Sequence, residues 1–158
     1  MPIKFSDKRE RILDFLQNHN IGVLATVDPN GDPNAAAIYF TVDASLDISF
    51  LTKVGTKKHD NLQRHSHAML VAYEAMSQTT VQIKGIASEV TDTSEAHQIF
   101  ADVLKIAMDT GASGIPPIDK LELGKHVMYR IKPKEIHMAT FIRAKSGAYD
   151  TIFETLNP

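Results

Sequence analysis

The stretch from Gly22 to Val42 constrains this chain most, because two β-rich runs flank the turn D-P-N-G-D-P (Asp28 to Pro33). Proline fixes φ there, and Asn30-Gly31 supplies the positive-φ positions that a hairpin needs. Gly22 to Val27 and Asn34 to Val42 then read as paired strands. A second turn, D-A-S-L-D, leads into Ile48 to Thr52. Three consecutive strands with short connections predict an antiparallel meander.

The elements around the meander follow from periodicity. Ser6 to Asn18 reads as a helix capped by Ser6, with Phe5, Arg9, Ile12, Leu13 and Leu16 at helical spacing. Val54-Gly55 forms a glycine loop that opens a short helix from about Thr56 to Arg64. Ala68 to Glu74 and Thr79 to Val90 are further strands, and in the latter Val81 and Ile83 alternate with Gln82 and Lys84. Residues 92–111 predict an amphipathic helix. Asp92 and Glu95 form a capping-box-like pair, Ile99, Phe100, Val103, Leu104, Ala107 and Met108 build one apolar face, and Gly111 is the expected stop. G-A-S-G-I-P-P reads as a loop. Val127 to Ile131 and Glu135 to Phe141 read as two last strands broken by Pro133, and the tail from 146 to 158 is weakly specified. The pattern predicts one domain over 1–158: mainly β with flanking helices, a six- or seven-stranded antiparallel barrel.

Composition sets the functional bounds. Of 158 residues, 43% are hydrophobic and 23% charged, enough for one core without staples. Cysteine is absent, which removes disulfides, thiolate metal sites and a cysteine nucleophile. The net charge of −2 argues against a nucleic-acid partner. The first residues show no secretory h-region, and the longest apolar run is far too short to span a bilayer, so a cytoplasmic protein without membrane partners is expected.

One segment carries chemistry: T-K-V-G-T-K-K-H-D-N-L, Thr52 to Leu62. A helix N-terminus offers unpaired N–H groups and partial positive charge, Thr56 adds a hydroxyl, and Lys57 and Lys58 add two ammonium groups. That set suits a phosphate, which forms charge-assisted hydrogen bonds with them. A solvated helix start with two surface lysines would show the same letters.

The order of the pieces separates these readings. I-G-V-L-A-T-V-D-P-N-G-D-P-N-A-A-A-I-Y-F, then T-K-V-G-T-K-K-H-D-N-L, then V-Q-I-K-G-I-A-S-E-V, resembles the FMN-binding split barrel of the pyridoxamine 5'-phosphate oxidase-like proteins. The resemblance covers Asn20 to about Val90 well and the rest weakly. It implies FMN as cofactor, with Thr56, Lys57 and Lys58 on its phosphate and Thr52 a further contact. It also implies that Ala36, Ala37, Ile38 and Tyr39 lie along the flavin ring through their backbone, and that Gln82 reaches the cofactor from the other subunit of a homodimer. True pyridoxamine-phosphate oxidases carry an arginine near Ala36, and its absence leaves the cradle more dependent on the lysines. They also end in a tryptophan strand and an R-x-H-x-R segment. Here that region reads M-Y-R-I-K-P-K-E-I-H-M-A-T-F-I-R and the chain has no tryptophan.

Other constellations are weaker. His59, His65 and His67 lie close together but lack the further ligand a metal site needs. His97 reads as solvated, and His126 and His137 as packing or surface residues. No serine-histidine-acid pattern is readable. A flavoprotein needs none, because the cofactor carries the electron chemistry. The expectation is an FMN-dependent oxidoreductase acting on a small molecule. The alternatives are a reductase using the deazaflavin coenzyme, or a non-catalytic flavin- or haem-binding module.

Overall fold

The computed structural model describes residues 7–110, 125–141 and 153–158, the last segment starting with backbone only at Phe153. In chain order the elements are α1 (Lys8–Asn18), β1 (Ile21–Val27), β2 (Pro33–Tyr39), β3 (Thr41–Val42), β4 (Ile48–Lys53), α2 (Lys57–Arg64), β5 (His67–Glu74), β6 (Thr79–Glu89), α3 (Thr93–Thr110), β7 (His126–Thr140) and β8 (Phe153–Leu156).

All strand pairs are antiparallel, and neighbours follow the order β2-β1-β5-β6-β7-β4-β3, with β8 added beside β7. The two ends of that path, β2 and β3, are consecutive in the chain and separated only by Phe40. The sheet must therefore curl until its edges meet, which makes a half-barrel. Phe40 is fully buried at the junction. Its N–H donates to the Asn20 carbonyl at 3.0 Å, and the Asn20 amide donates to the Phe40 carbonyl at 3.1 Å. The predicted strand from Asn34 to Val42 is thus one extended segment that changes partner midway.

Alternation fills the interior. Leu24, Ile48, Phe50, Leu70, Ile83, Tyr129, Ile131 and Ile136 point inward, and α1 adds Ile12, Phe15 and Leu16 to the same core. Each such aliphatic side chain contributes roughly 1.5–3 kcal/mol by leaving water. Elsewhere, α3 lays Ile99 and Val103 on Met128, with Leu51 packed alongside.

Several local expectations change. Ser6 and Phe5 lie outside the described residues, and the α1 cap is Asp7, whose side chain accepts from the Arg9 N–H at 2.9 Å. Only half of the Asp92–Glu95 box forms. Asp92 accepts from the Glu95 N–H at 2.8 Å, while the Glu95 carboxylate turns to Arg130 at 2.5 Å. Gly111 and the loop after it lie outside the described residues. Pro133 does not break the last strand: β7 runs unbroken for 15 residues. The register against β6 shifts between Lys84 and Gly85, and Pro133 stands opposite Gly85 at that bulge. A proline, which has no N–H to give a ladder, is tolerated at such an irregularity. The weakly specified tail contains β8, whose residues pair with Ile136 to Ala139. Among the described residues no helix is long and apolar enough to cross a membrane.

Candidate functional site

The start of α2 is built by a chain of hydroxyls. Gly55 takes φ +81°, a left-handed conformation that side chains disfavour, and so reverses the chain after β4. Thr56 then caps the helix in extended conformation, its oxygen accepting from the His59 N–H at 3.3 Å. The same hydroxyl lies 3.0 Å from the Lys53 carbonyl and 2.9 Å from the hydroxyl of buried Thr52. A hydroxyl has one hydrogen. With the Thr56 hydrogen on the Lys53 carbonyl, Thr52 donates to Thr56 and keeps no donor for a ligand. With it turned toward Thr52, the Thr52 hydrogen is released.

The remaining donors are freer. The N–H groups of Lys57 and Lys58, in the first turn of α2, have no intrahelical acceptor. The Lys57 side chain is exposed and that of Lys58 half-buried. Two main-chain donors, two ammonium groups and the positive end of a helix form a set that fits a phosphate, with Asp60 the one acidic residue of that turn.

The helix is held to the barrel from beneath. Leu62 is buried, and the buried Asn61 amide donates to the Thr26 hydroxyl of β1 at 3.0 Å. Gln63 donates to the hydroxyl of buried Tyr129 at 2.7 Å, and His59 Nδ1 lies 3.2 Å from the same oxygen. Burial, partly offset by the Gln63 bond, pushes the Tyr129 phenol above the usual tyrosine range. The hydroxyl therefore stays protonated and can donate to His59 while accepting from Gln63.

The helix lies against β1, β2 and β4, so α2 borders the alanine strand. On β2, Ala36 and Ile38 turn inward while Ala37 and Tyr39 are exposed, so these four share no side-chain face. They share the strand backbone. Because β2 ends the hydrogen-bonded path, one row of its N–H and C=O groups pairs with no strand among the described residues. Gln82 stands apart from this cluster, three strands along the path from β2 on β6. The face between them is apolar. Ala37, Val23, Val71 and Gln82 lie opposite one another across β2, β1, β5 and β6, and the nearby Ile21, Tyr39 and Tyr73 are exposed. Within one chain, the other residues expected from sequence fall on β2, β4 and the start of α2, three elements in mutual contact, with Gln82 apart on β6.

Next to Gln82 lies His137, which the sequence marked only as a packing or surface residue. His137 is the direct register partner of Gln82 on β7, and with Thr80 and Ala139 the pair lines a groove of about 250 Å³. Its Nε2 is 2.8 Å from a Glu135 carboxylate oxygen, and its Nδ1 is 3.0 Å from the Thr155 hydroxyl of β8. The Glu135–His137 spacing of two residues places both on one strand face. That signal was available in the sequence, whereas the arrival of Thr155 depends on tertiary structure.

Solved structures share this fold. An FMN-binding, pyridoxamine 5'-phosphate oxidase-related protein from Nostoc punctiforme is 15% identical, matched over 99% of this chain and 100% of its own, with a TM-score of 0.62. A heme-binding protein from Mycobacterium smegmatis is 14% identical over 98% of this chain and 60% of its own, at 0.70. An F420 reductase is 18% identical over 85% of this chain and 98% of its own, at 0.63. At these identities the likeness establishes the fold. No curated protein matches the chain in sequence. The family profile described as pyridoxamine 5'-phosphate oxidase matches residues 9–139, most of the chain. This chain therefore belongs to the pyridoxamine 5'-phosphate oxidase family.

Proposed function

We propose that this protein is an FMN-binding oxidoreductase working as a homodimer, with a cofactor at each end of the subunit interface. The observation that carries the reading is the α2 start: Lys57 and Lys58 with two free N–H donors, beside an edge strand of small residues. The phosphate takes the lysines and N–H groups, with Thr52 and Thr56 reorienting their hydroxyls toward it. The backbone of Ala36, Ala37, Ile38 and Tyr39 lies along the ring, where small side chains allow close approach. Gln82 serves the cofactor of the other copy, which explains why one chain leaves it outside the cluster. Bound FMN would supply the two-electron chemistry, and this chain's residues would position it and exclude water.

The exposed apolar face of β1, β2 and β5 supports the dimer, because a partner copy would cover both Tyr39 and the ring. The relatives that bind haem or act as F420 reductases leave two other ligands to compare. The absorption spectrum of the purified protein, followed by titration with FMN, deazaflavin coenzyme and haem, tests the reading. Tight FMN binding with a flavin spectrum is expected. Exclusive uptake of haem or of deazaflavin would overturn it.

A further inference from the structure

The groove at Gln82 holds a histidine with a partner on each ring nitrogen. An ionised carboxylate only accepts hydrogen bonds, so the contact with Glu135 at 2.8 Å places a hydrogen on His137 Nε2. In the neutral ring, Nδ1 is then an acceptor, and the Thr155 hydroxyl at 3.0 Å donates to it. A second proton can enter at Nδ1 without moving the ring: the imidazolium donates to Thr155 and the threonine hydroxyl turns outward. Glu135 stabilises that cation, and its fixed bond keeps the ring in place.

What would bring the proton is a negative charge nearby. Directly opposed residues of an antiparallel pair have their Cβ atoms about 4.5–5.5 Å apart. A ligand touched by the Gln82 amide is thus within one side chain of His137. Among the described residues the other charged groups near the ring are few. Lys84 faces Glu135 across β6 and β7, Lys134 precedes Glu135, and Glu154 next to Thr155 on β8 is paired with Arg11. The Thr155 carbonyl accepts from Lys8 at 2.8 Å. None of these is hydrogen-bonded to the imidazole.

We propose that His137 takes up a proton when a flavin held by the neighbouring copy is reduced, with Glu135 and Thr155 as its positioning residues. The inference rests on the FMN reading above. The balance is simple. Two electrons from an external reductant and one proton enter the flavin, which gains a negative charge, and a second proton from solvent binds His137 Nδ1. Neutral imidazole becomes imidazolium beside the new anion, and opposite charges at such range raise the proton affinity of the ring. By reciprocity, protonated His137 favours reduction.

Two measurements test this. The first is the midpoint potential of the FMN-loaded dimer as a function of pH, reduced with dithionite, for wild type, His137→Gln and Glu135→Gln. Wild type should show a steeper pH dependence across the histidine range than His137→Gln, corresponding to the loss of one proton per two electrons. Glu135→Gln should weaken that pH dependence. The second follows the His137 ring nitrogens by NMR in the cofactor-free protein, where Glu135→Gln should weaken the preference for a hydrogen on Nε2. A bound flavin whose pH dependence is unchanged in His137→Gln would overturn this inference alone. Failure to bind FMN at all would overturn the functional reading, and this inference with it.

Discussion

Asn61 and Thr26 meet inside the protein, the amide of the first donating to the hydroxyl of the second at 3.0 Å with both residues buried. This bond joins α2 to the hairpin strand β1. Removing one partner leaves the other unsatisfied in the interior, which costs about 1–3 kcal/mol. Asn61→Ala and Thr26→Val should each lower stability by that order in urea unfolding. The apolar pair Thr26→Val/Asn61→Leu should lose less than the sum of its singles. Additive losses would show that the bond contributes little.

Lys57 and Lys58 separate recognition from folding. Charge-assisted hydrogen bonds contribute roughly 1.5–3 kcal/mol each. The double change to alanine should therefore weaken FMN binding by ~3–6 kcal/mol, on the order of a hundred- to ten-thousand-fold. Riboflavin, which lacks the phosphate, should bind wild type and mutant alike. Fluorescence titration measures both ligands, and unfolding of the free protein should scarcely change. Wild-type FMN affinity in the double mutant would place the phosphate elsewhere.

Tyr129→Phe keeps the ring that stacks on Phe50 at 5.7 Å and removes the oxygen that joins Gln63 and His59. A loss of about 1 kcal/mol is expected at neutral pH. The sign at high pH follows from the raised phenol pKa. The folded state holds that proton more tightly than the unfolded chain does. Its stabilisation is complete below the ordinary tyrosine range and is lost as pH rises through the raised value. Denaturation curves above about pH 10 should fall less steeply for Tyr129→Phe than for wild type.

Gly85 has no room for a side chain. A Cβ there would lie 2.4 Å from the Lys132 carbonyl oxygen and 2.7 Å from an Ile131 methyl. Both clashes fall at the bulge opposite Pro133, so Gly85→Ala must shift backbone, and overpacking of this kind costs about 1–3 kcal/mol or more. Thermal unfolding of Gly85→Ala should show the loss. An unchanged midpoint would mean that the bulge relaxes freely.

Family membership does not carry the reaction of the family's namesake. The chain contains no tryptophan, and Ala139, a small residue, stands beside His137 in the groove. Purified protein supplied with FMN should not turn pyridoxamine phosphate into pyridoxal phosphate at an appreciable rate. Robust aldehyde formation would refute this.

The residues show why some of this was legible in the sequence. Thr56 is a cap because a hydroxyl residue stands just before a helical run, a local signal. The barrel class followed from strand patterning and turn chemistry between Gly22 and Thr52. Pro133 misled because a proline reads locally as a breaker. Its tolerance depends on Gly85, nearly fifty residues away, being small enough for the two backbones to approach. The Asp92–Glu95 box half-failed for a similar reason: Arg130, brought in by β7, captures the Glu95 carboxylate. Lys57, Lys58 and Ala37 could be marked from local chemistry and resemblance together. The Glu135–His137–Thr155 contact could not, since it exists only once β8 docks.

Phe40 gives the ring of strands a strict parity. The strand before it pairs with β1 and the strand after it with β4, and both hairpins count from this one buried side chain. A single residue inserted at the junction would put Ile38 out of phase with Ile48, because side chains alternate with period two. One hairpin would then have to present its polar face to the interior. An added residue is therefore accommodated in the turns at Asp28–Asp32 and Asp43–Asp47, whereas the segment from Pro33 to Val42 must keep its count.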